Sequence, residues 1–220
     1  MLRLFSSERP DGGEKFFPQD GWVIAEKDNV GDWSSLGYMV GMMLQEKTHH
    51  AVGLITCYQG AADIQSYLPD YVFKNQAFNI PITECFDNQF IWNKEHSFLF
   101  DFQTKRIIPF SASGVVWYQG ESNYTDKESE ICGEMLSALI NSWRMEFKDE
   151  RLPFVVVQIA DNDDRNGSAW HEIQRAQVEI QDKEPYVKSV ICRDICESAD
   201  IHPRRKFKLA ERIANAIYLF

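Results

Sequence analysis

The chain has 220 residues, 44% of them hydrophobic and 13% aromatic, which suits one sizeable domain spanning residues 1–220. Its formal charge of -10, with no basic tract, argues against a nucleic-acid partner. No run nears the about 18 apolar residues of a membrane span, and the opening MLRLFSSERPDGG holds no apolar region of signal-peptide length, so neither a membrane nor export is indicated and a cytoplasmic setting is favoured.

In chain order, LRLF (2–5) reads as a strand. Trp33 to Lys47 reads as a helix, with Leu36, Met39, Val40, Met43 and Leu44 on one stripe. AVGLITC (51–57) is the next strand. The region from Asn75 to Arg106 lacks a clear period but is dense in Phe78, Phe86, Phe90, Trp92, Phe98, Phe100 and Phe102, which argues for a packed insertion rather than disorder. Strands follow at SGVVWYQ (113–119), LPFVVVQIA (152–160) and VKSVICRD (187–194). They alternate with helices at 127–147, 168–181 and 206–219. Continuous apolar strands point to a sheet buried on both faces. Their alternation with helices predicts a three-layer α/β/α sandwich with a mainly parallel sheet.

Five cysteines, Cys57, Cys85, Cys132, Cys192 and Cys196, cannot all pair with one another. The spacing of Cys192 and Cys196 suits neither a CxxC redox motif nor the common zinc pairs. Structural thiols in a reduced compartment are the reading.

Candidate chemistry gathers at strand ends. After the apolar strand, Gln119-Gly120-Glu121-Ser122-Asn123 sits where open α/β sheets place their ligands. Ser122 reads as a nucleophile on a strand-turn-helix elbow, although Tyr124 stands where the elbow wants glycine. Alternatively Asn123 donates to an oxyanion while Gln119 and Glu121 shape the wall, or Asn123 only caps the next helix. Asp200 and His202 are two apart in an extended turn, so the carboxylate can orient an imidazole base; a surface turn begun by Pro203 is the plainer reading. Gly60 offers a backbone N–H or simply a turn. DNDDRNGSAWHE (161–172) follows a calcium-loop pattern in part, but Ile173 occupies the position that requires a bidentate Glu.

Together these segments resemble the sialate O-acetylesterase and acetylxylan esterase-like branch of the SGNH hydrolases. The family's GVxWYQGESN is matched by Gly114 to Asn123, its LPFxxVQLA by Leu152 to Ala160, its WxxIRxAQ by Trp170 to Gln177, and its DxHPxxK by Asp200 to Lys206. The run from Ser34 to Pro69, IIPF ahead of the GVVWYQ strand, and SALINSWRMEF (137–147) are also similar. The resemblance therefore runs nearly end to end. One position departs, Gln174, where many members have Arg.

The resemblance implies an SGNH, flavodoxin-like fold and a serine esterase removing O-acetyl groups from a carbohydrate, with no metal or organic cofactor. His202 would be the base and Asp200 its orienting acid, with Glu121 as a second candidate acid. Gly60 and Asn123 would stabilise the oxyanion, and Gln119 and Gly120 would line the substrate site. The family's attacking serine belongs to a GQSN-type block upstream of a segment like LRLFSS, which here starts at Leu2. Ser6, Ser7, Ser34 and Ser35 do not match that block. The expectation is a fold without its first strand, whose slot would fall between LRLF and AVGLITC and be closed by rearrangement, by a second chain as in a homodimer, or by a further segment. A non-catalytic sugar-binding descendant and a hydrolase using Ser122 stand as alternatives.

Overall fold

The computed structural model describes residues 1–11, 21–74 and 90–220. Phe78, Cys85 and Phe86, named above, lie outside them.

Two three-stranded sheets form. In the first, β1 (Leu2–Ser6) lies between β2 (Trp22–Ile24) and β3 (Val52–Thr56), antiparallel to β2 and parallel to β3. In the second, β4 (Val115–Trp117), β5 (Phe154–Val157) and β6 (Val187–Val190) are parallel neighbours in that order. The expected slot between LRLF and AVGLITC therefore does not exist. Leu2 to Ser6 pair residue for residue with Val52 to Thr56, so the two strands satisfy each other's backbone. The break in pairing falls instead between β3 and β4, which no ladder joins among the described residues.

The burial of the strands agrees. All four residues of β5 are buried, whereas β3 has none buried and β4 exposes Val116 at 41%. Apolar strands suited by composition to a central position are thus half-open at the free edges of the two sheets.

Among the described residues the α-helices are α1 (Ser35–Thr48), α2 (Lys105–Ile107), α3 (Asp126–Glu130), α4 (Cys132–Phe147), α5 (Ser168–Lys183) and α6 (Phe207–Tyr218), of which α1, α5 and α6 lie directly on strands. The helix read over 127–147 is two, separated at Ile131. Along β5, Phe154 and Val156 enter a core built with α4 and α5, while Val155 and Val157 enter another built with Val40 of α1 and Leu209, Ala210 and Ile213 of α6. Period-two alternation into two helical layers is the physical content of a three-layer sandwich. Each such apolar side chain contributes about 1.5–3 kcal/mol on burial.

Helix α1 lies tight on the first sheet: a Cβ at Gly41 would stand 2.5 Å from Leu54 Cδ1 and 2.9 Å from Leu2 Cδ1. Because α1 also packs on α6, the helical layer bridges both sheets. The described part of the aromatic insertion is packed as expected, with Trp92, Leu99 and Phe100 buried around a π-helical turn at Phe100–Thr104. Among the described residues no helix is long and apolar enough to cross a membrane.

Candidate active site

The carboxyl ends of the strands supply every candidate group. After β3 the chain turns at Gly60 and Ala61, the latter at φ 55°, and enters a buried single-turn helix, Ile64–Tyr67. After β4 it makes a tight turn in which the Asn123 N–H donates to the Gly120 carbonyl at 3.0 Å, with Glu121 and Ser122 at its corners. Gly120 is required by close approach: a Cβ there would lie 2.7 Å from Gln177 Nε2 and 3.0 Å from Ile159 Cγ2.

Asn123 holds these two ends together. Only 1% exposed, its Oδ1 accepts from Ile64 N–H (3.0 Å) and Gln119 Nε2 (2.8 Å), and its Nδ2 donates to Gln65 Oε1 (2.7 Å) and Glu128 Oε1 (2.9 Å). A primary amide has two donors and one doubly accepting oxygen, so every position is filled within the chain. In this arrangement Asn123 presents no spare N–H to a ligand. Nor does it cap a helix: Thr125 Oγ1 accepts from Glu128 N–H and donates to Glu128 Oε2, capping α3.

Gln119 is likewise engaged, donating to the Ala62 carbonyl at 3.0 Å and accepting at its backbone oxygen from Gln177 Nε2 at 2.8 Å. Gly60 is exposed at the loop tip, with nothing within 4 Å of its Cβ direction. Ser122 is 4% exposed, whereas a nucleophile elbow carries its hydroxyl in the open.

The segment after β6 brings in the histidine. Asp200 Oδ1 accepts from the His202 backbone N–H at 2.8 Å, and stands 4.0 Å from His202 Nδ1. That separation is longer than a hydrogen bond, although catalytic contacts are often loose before substrate binds. The His202 side chain is 84% exposed. It nevertheless lies within the field of Glu121. Burial pushes the Glu121 carboxyl above its ordinary range, opposed by the N–H groups of Glu121 and Gly120 and by the charges of His202 and Arg165. The His202 charge thus acts on the QGES turn from a segment distant in sequence.

Residues 34–218 match the family described as carbohydrate esterase, sialic acid-specific acetylesterase. The chain belongs to this family. It is 24% identical over 216 residues to human sialate O-acetylesterase, a match covering 87% of this chain and 41% of the human protein. With the mouse sialate O-acetylesterase the identity is 29% over 136 residues, 54% of this chain and 25% of that protein. The crystal structure of a carbohydrate acetylesterase from Xanthomonas citri superposes with a TM-score of 0.83 at 26% identity, covering 98% of this chain and 48% of that one. An Arabidopsis thaliana protein shares the fold, with a TM-score of 0.66 at 17% identity over 99% of this chain and 80% of its own. The chain thus spans less than half the length of the human and Xanthomonas proteins.

Several polar groups near this esterase-family site were given no role by the sequence. Arg165 donates to the Glu121 carbonyl at 3.4 Å and lies 4.8 Å above the Tyr124 ring. Gln174, the departure from the family pattern, is buried and donates to the carbonyls of Ile159 and Ala160 and to Asp161 Oδ1, fastening α5 to the end of β5. Asp63 is fully buried with neither carboxylate oxygen hydrogen-bonded, and burial, then the Glu128 charge, raises its pKa to about 9. Among the described residues no three His, Cys, Asp or Glu side chains group as metal ligands, including the 161–172 loop. Two apolar grooves, one along α1 beside Phe207 and one between β6 and α6, include none of the candidate site residues.

Proposed function

We propose that this chain provides the histidine side of a serine esterase that removes O-acetyl groups from carbohydrates, sialic acids being the first substrate class to try. The observation that supports the reading is that the His202 charge lies near enough to act on the Glu121 carboxyl, with Asp200 Oδ1 4.0 Å from the histidine. His202 would take the proton of an attacking hydroxyl, and a carboxylate would stabilise the resulting imidazolium. Asp200 is the nearer acid in sequence; Glu121, half-buried and facing the same charge, is the second.

The attacking serine would stand on a strand set between β3 and β4, each the last strand of its sheet with no further partner strand among the described residues and with half-open apolar side chains. Such a strand would come from a further segment or from a second chain. Its end would lie beside Gly60, whose exposed N–H suits an oxyanion donor better than the committed amide of Asn123.

The test is an NMR titration of the His202 ring with an O-acetylated sialoside and with its deacetylated counterpart. The expected result is a shift on adding the acetylated ligand, weakened by Glu121→Ala. An unchanged His202 resonance at millimolar acetylated sialoside would overturn the reading.

A further inference from the structure

The two cysteines whose spacing matched no motif come together in space. Cys192 lies just beyond β6, wholly buried in the core shared with α6, and Cys196 is half-buried. A turn closed by the Ile195 N–H donating to the Cys192 carbonyl at 3.0 Å brings their sulfurs to 2.6 Å, closer than two unbonded sulfur atoms rest. The Tyr118 hydroxyl, on the strand end that leads into Gln119 to Ser122, is 3.7 Å from the Cys192 sulfur.

We propose that Cys192 and Cys196 form a reversible disulfide that fastens the histidine-bearing segment to the end of β6. The inference concerns the thiols alone and stands whether or not the neighbouring site hydrolyses esters.

The chemistry balances against an external low-molecular-weight disulfide. Cys196, the more accessible sulfur, attacks it and becomes a mixed disulfide, releasing one thiol. Cys192 then attacks the Cys196 sulfur, the protein disulfide forms, and a second thiol leaves. Two protein thiols are oxidised and one external disulfide is reduced to two thiols. In the dithiol, hydrogen bonds from Cys196 and Tyr118 lower the Cys192 pKa despite burial. Once Cys196 carries the mixed disulfide its S–H is gone, and the Tyr118 contact is what still favours the Cys192 thiolate in the resolving step.

The pair is well placed to govern the segment that follows. Cys196 begins the stretch leading through Glu197 and Ser198 to Asp200 and His202. Among the described residues the Ser198 carbonyl accepts from Asp163 N–H at 2.9 Å, Glu197 Oε1 pairs with Arg205 Nε at 3.1 Å, and Asp200 Oδ2 lies 3.8 Å from Arg204 Nε. Closing the disulfide removes freedom at the near end of the segment, so its two redox states differ in how readily the His202 turn opens.

The chain can be equilibrated with reduced or oxidised glutathione, alkylated with iodoacetamide and digested with trypsin. Cleavage after Lys188 and Arg193 puts Cys192 in the peptide SVICR and Cys196 in the peptide beginning at Asp194. The expected product under oxidised glutathione is the two peptides joined, two hydrogens below their summed mass, and separated again by dithiothreitol. On the native chain, trypsin cleavage at Arg204 and Arg205 should slow several-fold on oxidation, and not in Cys196→Ser. Independent alkylation or glutathionylation of the two cysteines under oxidising conditions would overturn the disulfide. Equal cleavage rates in the two redox states would overturn its hold on the segment.

Discussion

Asn123 Oδ1 accepts from the Ile64 N–H at 3.0 Å, tying the turn after β4 to the loop after β3, although no backbone ladder joins those two strands among the described residues. The amide is buried and four-fold bonded, so its removal strands Ile64 N–H, Gln65, Gln119 and Glu128 in a dry environment. Networks of this kind lose more than one bond when one member is deleted. Asn123→Ala should therefore cost about 2–4 kcal/mol of stability, read as a lowered urea midpoint. A midpoint within experimental error of the parent would refute the structural role and restore Asn123 as a free donor.

Asp63 makes stability depend on pH. The folded chain keeps its proton up to about pH 9, whereas an unperturbed aspartic acid releases it near 3.8. Folding therefore takes up a proton across that window, and stability falls as pH rises through it, by at most about 1.4 kcal/mol per unit. Asp63→Asn keeps the neutral shape and cannot ionise. Its melting temperature should exceed the parent's at pH 8 and converge with it near pH 4. Parallel melting curves across the range would show that Asp63 ionises freely.

Gly120 tests the packing behind the turn. A methyl there displaces Gln177, whose side chain bonds the Ile159 N–H and the Gln119 carbonyl, each at 2.8 Å. Gly120→Ala is expected to destabilise by about 1–3 kcal/mol, the usual cost of overpacking. Calorimetry showing no loss would mean that the neighbouring side chains give way without cost.

Activity separates the two placements of the nucleophile. With the serine on a strand that these residues do not supply, the 220-residue chain should be nearly inert on acetyl esters. Loss of a triad serine costs on the order of 10⁶ in kcat in a serine protease. Acetate release at ordinary esterase rates, abolished by Ser122→Ala, would move the nucleophile to Ser122 despite its burial.

Arg144 is a structural counterpart within the family segment SALINSWRMEF. Nearly buried, it donates to the carbonyls of Leu152 (3.2 Å) and Pro185 (2.6 Å), so α4 grips the starts of β5 and β6. Arg144→Ala should cost about 2–4 kcal/mol by leaving those acceptors without their charged donor. Chemical denaturation reads this directly, and a loss under about 0.5 kcal/mol would count against it.

Local pattern alone determined a good deal of this protein. Apolar runs of strand length and stripes of helical period are written in neighbouring residues, so β1, β3, β4, β5, β6 and the long helices were legible, as was the layered α/β class. The motifs at Gly114–Asn123 and Asp200–Lys206 marked the family because their residues are consecutive. Strand β2 escaped because its apolar run, Trp22 to Ala25, is too short to be told from a loop or helix segment by pattern alone, and it lies at a sheet edge with Ile24 exposed. Pairing was decided only in three dimensions. Whether β1 meets β3, and where the ladder breaks, depends on which backbone edges satisfy each other across about fifty residues of chain. The roles of Asn123, Asp63 and the Cys192–Cys196 pair were equally hidden, because a side chain's chemistry follows from its burial and its neighbours, and those are supplied by segments far away in sequence.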